Sequence, residues 1–251
     1  MAAQKAAGTY AAYLHSEIIR VITPYLVLGL VALALAALIA RTHFPSIDVE
    51  EGHENEGQGD SLGVLFHRHF VFGVIAQFLY VGAQVGTWSY VITYVQTYTG
   101  SAERSAGFWL TGALIAFTVG RFVSTALLRY LPAQNLLAAF AVINAAVAGF
   151  AAFRPGWLGV GCLVVISFFM SMMFPTIFAL GIKGLGTRTK TGGSLLVMSI
   201  IGGAVLTPLM GKVADLAGVA QAYLVPAACF IGIALYAWFG SQPSPRDLTV
   251  S

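Results

Sequence analysis

Charged residues are scarce in this 251-residue chain: Asp, Glu, Lys and Arg make up 9% of it, whereas hydrophobic residues make up 58%. A soluble globular protein carries roughly 25% charged residues. So few charges could not keep this much apolar surface in water, so lipid must be the solvent for most of the chain. The net charge of +3 is small and the cations are scattered, which argues against a nucleic-acid partner.

The sequence contains seven long apolar segments. Each of seven segments is long enough to cross a bilayer, which takes about 20 residues. Their runs are continuous rather than alternating, which favours helices over barrel strands. The predicted fold is therefore all-α, a polytopic membrane bundle of about seven transmembrane helices. The predicted spans are 21–40, 70–98, 106–128, 136–153, 157–182, 191–213 and 220–240.

The predicted spans contain no arrangement of residues that would perform metal, redox or acid–base chemistry. The two cysteines, Cys162 and Cys229, sit in apolar runs without metal-ligand spacing. None of the ten acids and none of the five histidines falls in the middle of a predicted span. The chain is therefore predicted not to be an enzyme, with no catalytic residue, no metal and no cofactor. A carboxylate for proton coupling, which would have to lie within the membrane, is also not expected on this chain.

One connection between spans is long, polar and acidic. Residues 41–69 contain six of the ten acids and predict a solvated linker. The linker separates one helix (residues 1–40 with the preceding loop) from a six-helix block with a short tail (residues 70–251). A cytoplasmic linker would place eight of the 13 Lys and Arg residues inside, so the positive-inside rule favours a cytoplasmic C-terminus.

The second span carries polar and aromatic side chains on one helical face. Two glutamines in hydrocarbon are unfavourable unless they are hydrogen-bonded. An amide can bond hydroxyl groups, and an aromatic ring beside it can stack on a sugar. The face is therefore predicted to line a wet cavity for a neutral polyhydroxylated solute; the alternative is hydrogen bonding between helices. Its residues are Gln77, Tyr80, Gln84, Thr87, Trp88, Val91 and Tyr94.

Helix-perturbing residues mark the fifth and sixth spans. Pro175, after Met173 and Phe174, should kink its helix and free a backbone carbonyl. Such breaks are tolerated in a membrane where protein buries them or where they line a cavity. The structural or gating candidates in the sixth span, which permit close packing or bending, are Gly202, Gly203 and Pro208.

Arg121 is the cation placed deepest in a predicted span. It follows Gly120, and a structural role is expected in which it snorkels or pairs with a carbonyl or an acid. Gly112 with Gly120-Arg121 has the same spacing as Gly203 with Gly211-Lys212. Three spans separate the two copies, which is typical of the inverted repeats that build transporters.

Several stretches of the sequence resemble the fucose–proton symporter family, part of the fucose, galactose and glucose group of the major facilitator superfamily. The resemblance covers nearly the whole chain. The stretches are 77–84 with Trp88-Ser89-Tyr90, 174–183, 200–211, Gly120-Arg121-Phe122 and Thr23-Pro24-Tyr25.

The resemblance implies half of a twelve-helix carrier. The first span corresponds to helix six, residues 41–69 to the central cytoplasmic loop, and the other spans to helices seven to twelve. The family's essential proton-linked carboxylates belong to the N-terminal half, which this chain lacks. The implied function is proton-coupled uptake of L-fucose or a related hexose by alternating access in the plasma membrane. The expected partners are the sugar, protons, the lipid bilayer and the missing N-terminal half, without which the chain is not expected to transport.

The resemblance also implies which residues line the sugar pathway. In the second span these are Gln77, Tyr80, Gln84 and Trp88. Near the proline they are Met173 and Phe174, where fucose carriers tend to have Gln-Tyr, and glucose- and galactose-type relatives look more like this chain. Two other hypotheses stay open at this point: a seven-helix receptor-like protein and an inactive transporter fragment.

Overall fold

The computed structural model describes residues 67–241, together with scattered helical positions between 22 and 41. The chain divides into two units, Met1–Glu54 and Asn55–Ser251, and the second unit contains residues 67–241. The predicted span 21–40 is described only in part, with an apolar helical stretch at Gly29–Leu38. Nearly all of the predicted linker and most of the C-terminal tail lie outside the described residues.

Residues 67–241 form six helical spans of membrane length, and the all-α prediction is confirmed. Short 3-10 helices at Gly186–Arg188 and Ser199–Ile201 flank α6, and a π-helix at Tyr236–Gly240 ends the last span. The α-helices are α1 (Arg68–Thr99), α2 (Glu103–Leu127), α3 (Ala133–Phe153), α4 (Trp157–Met170), α5 (Met173–Ile182), α6 (Thr189–Met198), α7 (Gly202–Ala217), α8 (Val219–Ala222) and α9 (Leu224–Leu235).

The observed spans agree with the predicted ones to within a few residues. The largest difference is in the α6–α7 span, which covers Thr189–Ala217 where 191–213 is predicted. Hydropathy detects the apolar middle of a span but not the more polar turns at its ends. Most of the observed helices therefore begin or end a few residues outside the predicted limits.

Helix α1 is the central helix of this unit and packs against α2, α5, α7 and α9. Glycines bring its neighbours close. A methyl group on Gly82 would overlap Leu206 of α7, and one on Gly86 would lie 3.1 Å from the sulfur of Met210. Small residues at helix contacts are the usual means of close packing in membranes, where water does not drive helices together.

Two of the six spans are much less buried than the rest. The most apolar 18-residue window of α2 has 17% of its residues buried and that of the α6–α7 span has 28%, whereas the other four spans have 50–56%. Both spans pack on α1 with one side. Their other sides are open surfaces of the unit.

The fourth span is interrupted rather than continuous. Helix α4 ends at Met170 and α5 begins at Met173, so Ser171 and Met172 lie between them. Pro175 falls in the first turn of α5, where the fixed φ of proline fits the helix. The break thus lies one turn before the proline, near the middle of the span.

Candidate functional site

The break between α4 and α5 exposes a backbone carbonyl that a side chain from another helix binds. Pro175 has no N–H, so the carbonyl of Ser171, four residues earlier, lacks its helical donor. Arg121 of α2 donates to this oxygen from Nε at 3.3 Å and from Nη2 at 3.0 Å. The deepest cation of the sequence therefore holds the carbonyl that the proline leaves unpaired.

The neighbouring carbonyl is held from the other side by α1. The Tyr80 hydroxyl donates to the carbonyl of Met170 at 3.1 Å, and the Tyr80 side chain is completely buried. Its ring meets Phe174 edge to face, with 6.2 Å between the ring centroids. Two successive carbonyls at the end of α4 are thus bonded to side chains of two different helices.

A second contact between α1, α2 and α4 involves aromatic side chains. The Trp88 indole N–H donates to Ser167 Oγ at 3.1 Å, and its ring packs edge to face on Phe117 of α2 at 5.1 Å. The guanidinium carbon of Arg121 lies 5.2 Å from the centroid of the same Phe117 ring. Helices α1, α2 and α4 therefore converge on one aromatic cluster.

This cluster is open on one side. Trp88, Phe117 and Phe174 are half-buried and Arg121 is exposed. Gln84, also half-buried, lies on the helical stripe of α1 between Tyr80 and Trp88. We call Gln84, Trp88, Phe117, Arg121 and Phe174 the aromatic surface.

The chemistry of the aromatic surface suits a neutral polyol. Aromatic rings offer apolar faces to the C–H groups of a sugar, and the Gln84 amide can both donate and accept hydrogen bonds. A guanidinium has five N–H donors. On Arg121, Nε and Nη2 bind the Ser171 carbonyl, so the guanidinium at this surface is engaged with the helix break.

The eight predicted pathway residues divide into two groups. Gln84, Trp88 and Phe174 reach the aromatic surface. The other five are buried inside the six-helix unit, and their place in a substrate pathway stays a prediction. They are Gln77, Tyr80, Thr87, Tyr94 and Met173.

Some buried members of the stripe join helices to one another. The Tyr94 hydroxyl donates to the carbonyl of Ala151 at 2.8 Å, and the Thr87 carbonyl accepts from the Tyr223 hydroxyl at 3.0 Å. These are the interhelical bonds that the sequence offered as the alternative to a cavity. The Thr87 side chain takes no part in the bond to Tyr223, because Thr87 Oγ1, like both amide atoms of Gln77, is buried without a hydrogen-bond partner among the described residues.

The glycines predicted to be structural lie where helices approach closely. A methyl group on Gly120 would overlap the carbonyl oxygen of Phe168, and one on Gly202 would overlap that of Phe78. A methyl group on Gly203 would lie 3.1 Å from Val85. Pro208 lies inside α7.

Sequence reasoning missed Phe117, Ser167 and Ser171. Phe117 lies one helical turn before Arg121, so the i, i+4 spacing could have placed both on one face. The Ser171 carbonyl could have been found by counting four residues back from Pro175. No pattern in the sequence indicates that Ser167 receives an indole N–H from another helix.

The chain is similar in sequence to known sugar transporters. No protein-family model matches the chain. The L-fucose-proton symporter of Escherichia coli K12 is 44% identical over 237 residues, which are 92% of this chain and 54% of the symporter. A glucose/galactose transporter of Brucella abortus is 33% identical over 226 residues, which are 87% of this chain and 53% of that protein.

Solved structures give the same result. The crystal structure of the E. coli fucose:proton symporter of the major facilitator superfamily, in its outward conformation, matches with a TM-score of 0.81 at 43% identity. The match covers 92% of this chain and 57% of the symporter chain. The chain thus spans about half the length of the relatives it matches, and it fits their C-terminal half. The predicted resemblance is confirmed, and these relatives are transporters rather than enzymes, as predicted.

Proposed function

We propose that this chain is the C-terminal half of a secondary active transporter for a monosaccharide, L-fucose or a related hexose. The aromatic surface would form one wall of the sugar pathway. One observation carries the proposal: within the membrane spans, Trp88 of α1 packs on Phe117 of α2, both rings stay partly accessible, and the half-buried Gln84 lies one turn from Trp88 on the same face of α1. The fucose and glucose/galactose transporters among the relatives support the same class of substrate.

Transport would proceed by alternating access, with two halves rocking about a site near the middle of the membrane. A companion N-terminal half would supply the opposite wall and the carboxylates for proton coupling. The acids in the described part of the chain, Glu103 and Asp215, lie near the ends of their helices, which supports this division. The open sides of α2 and the α6–α7 span offer surface for the companion half.

The proposal includes the location and the candidate sugars. The chain would lie in the plasma membrane, with residues 41–69 as the central cytoplasmic loop and the C-terminus in the cytoplasm, because this orientation satisfies the positive-inside rule. Met173 is buried beside the break and Phe174 reaches the aromatic surface. Glucose- and galactose-type relatives look more like this Met-Phe pair than fucose carriers do, so we include glucose and galactose beside L-fucose among the candidate substrates.

Uptake into vesicles tests the proposal. We expect vesicles with this chain alone to be inactive. Vesicles that also contain the N-terminal half of the E. coli symporter should take up labelled hexose when a proton gradient is applied. The two halves of the E. coli symporter, expressed as separate chains, provide the positive control. Absence of uptake of L-fucose, galactose and glucose while this control is active would refute the proposal, and uptake by the chain alone would refute the need for a companion.

Two tryptophans give a matched pair for locating the pathway. Trp88→Ala should raise the KM for the sugar about tenfold, since loss of one aromatic contact of about 1.4 kcal/mol has that effect. Trp238, exposed in the π-helix of the last span, is the control, and Trp238→Ala should leave KM unchanged. Equal KM values for the two variants would remove the aromatic surface from the pathway.

A further inference from the structure

We infer that Arg121 is a positioning residue of the transporter: its guanidinium replaces the backbone donor that Pro175 removes, and so fixes the direction of α5 and the place of Phe174. The part of this inference that concerns sugar rests on the proposed function. The part that concerns the helix break rests on the geometry alone.

The backbone at the break is nearly helical. Ser171 has φ −56° and ψ −34°, and Met172 has φ −95° and ψ −13°, both in the right-handed helical region. In such a backbone the N–H of residue 175 would point at the Ser171 carbonyl. The Met172 carbonyl already receives the N–H of Thr176 at 3.1 Å, and that of Phe168 receives the N–H of Ser171 at 3.3 Å. The proline thus removes the helical donor of one carbonyl, and that carbonyl is the one that Arg121 binds.

Arg121 is held in place from two sides. Its guanidinium binds the Ser171 carbonyl through two nitrogens and lies beside the Phe117 ring, which is one turn earlier on the same helix. Gly120 permits the approach, because any side chain there would meet the Phe168 carbonyl and the Ser171 hydroxyl. The arginine is therefore a fixed group of the break rather than a side chain that extends to the membrane surface.

Arg121 affects the sugar pathway through the first turn of α5, just beyond the break. Phe174 is three residues beyond Ser171 and belongs to the aromatic surface. Tyr80 and Arg121 hold successive carbonyls from α1 and α2, so together they fix the angle at which α5 leaves α4. With Arg121 removed, Tyr80 alone would hold the break, and Phe174 would lose its defined position.

A double-mutant cycle tests the geometric part. An alanine at position 175 restores the missing N–H, so Arg121→Ala should be harmful with the native proline and nearly harmless in the Pro175→Ala background. A hydrogen bond to a charged group of typical strength predicts a fall in Tm of about 4–8 °C for Arg121→Ala in detergent. The same change in Pro175→Ala should lower Tm by about 2 °C or less. Arg121→Lys, which keeps the charge but has a single donor nitrogen, should fall between the wild type and Arg121→Ala.

The double-mutant cycle can either support or overturn the role of Arg121. Equal losses in both backgrounds would overturn the inference, because Arg121 would then act independently of the proline. If Arg121→Ala yields no folded protein, recovery of folded protein in the double variant supports the inference. Failure of both variants overturns it.

Hexose uptake with the companion half tests positioning separately from stability. We expect Arg121→Ala to raise KM about tenfold with little change in kcat, and the double variant to return KM to within about twofold of the wild type. If Arg121→Ala lowers Tm but leaves KM unchanged, Arg121 has only a structural role and the positioning claim is overturned. A restored Tm without a restored KM would also overturn it, since Arg121 would then bind sugar directly. If the wild type takes up no hexose, the proposed function fails while the Tm cycle still decides the geometric part.

Discussion

Two glycines of α2 provide a direct test of how closely this helix crosses the broken span. At Gly120, an added methyl group would overlap the Phe168 carbonyl oxygen and lie 2.8 Å from Ser171 Oγ. At Gly112, eight residues earlier on the same helix, an added methyl group meets nothing within 4 Å. Gly112→Ala and Gly120→Ala therefore make the same chemical change in the same helix, and only the second one meets neighbouring backbone.

The expected magnitudes result from two opposing effects. Alanine stabilises a helix interior by about 0.5–1 kcal/mol relative to glycine, and this gain applies at both positions. Overpacking costs about 1–3 kcal/mol, and at Gly120 the obstacle is backbone, which cannot rotate away as a side chain would. Gly112→Ala should thus raise the free energy of unfolding slightly, whereas Gly120→Ala should lower it. The two variants should differ by about 2 kcal/mol, or about 4–8 °C in Tm.

Thermal unfolding of the purified chain in detergent measures this difference. Because a displaced α2 would also carry Arg121 away from the Ser171 carbonyl, Gly120→Ala and Arg121→Ala should be non-additive, the double variant losing little more than the worse single variant. If the two glycine variants shift Tm equally, α2 does not approach the break closely. The positioning role of Arg121 would then lose its basis.

Three buried hydrogen-bonding groups give further predictions. Asn144→Leu should leave Tm unchanged or raise it, because both amide atoms of Asn144 are buried without a partner among the described residues; a clear fall in Tm would contradict this. Gln77→Leu should also keep or raise Tm, yet it should lower hexose uptake if the amide contacts sugar, and unchanged uptake would remove Gln77 from the pathway. Tyr94→Phe deletes the bond to the Ala151 carbonyl and should cost about 0.5–1.5 kcal/mol of stability without altering KM, whereas a raised KM would return Tyr94 to the pathway.

The spans could be predicted from the sequence because composition alone decides them. A run of about 20 apolar residues has one low-energy arrangement in a bilayer, a helix across it. Short polar connections containing Arg129 and Pro132, or Arg154 and Pro155, mark where one span ends and the next begins. These signals are local, so no knowledge of the packing is needed to read them.

The open side of α1 could not be predicted in the same way. In a soluble protein the polar face of a helix is the exposed face, but a membrane helix has apolar residues toward both lipid and protein. The sequence predicts that the whole polar stripe of α1 lines one wet cavity. Instead its neighbouring helices bury Gln77 and Thr87 completely while Gln84 and Trp88 stay half-exposed. Which part of a stripe is enclosed depends on the helices packed around it. The residues of the stripe alone do not determine where those helices lie.

Gly120, Arg121 and Pro175 make physical sense only together. The proline leaves a carbonyl without its helical donor, and an unsatisfied carbonyl inside a membrane is costly. An arginine in the same place would be a charge without a partner if the carbonyl were absent. The Ser171 carbonyl is that partner, and the C-terminus of α4 carries partial negative charge that also favours a cation. The glycine lets α2 come close enough for the two to meet. Taken singly, these residues indicate a kink, a close contact and a snorkelling cation. Their contacts make the arginine and the proline interdependent, and the glycine is what allows the two to meet.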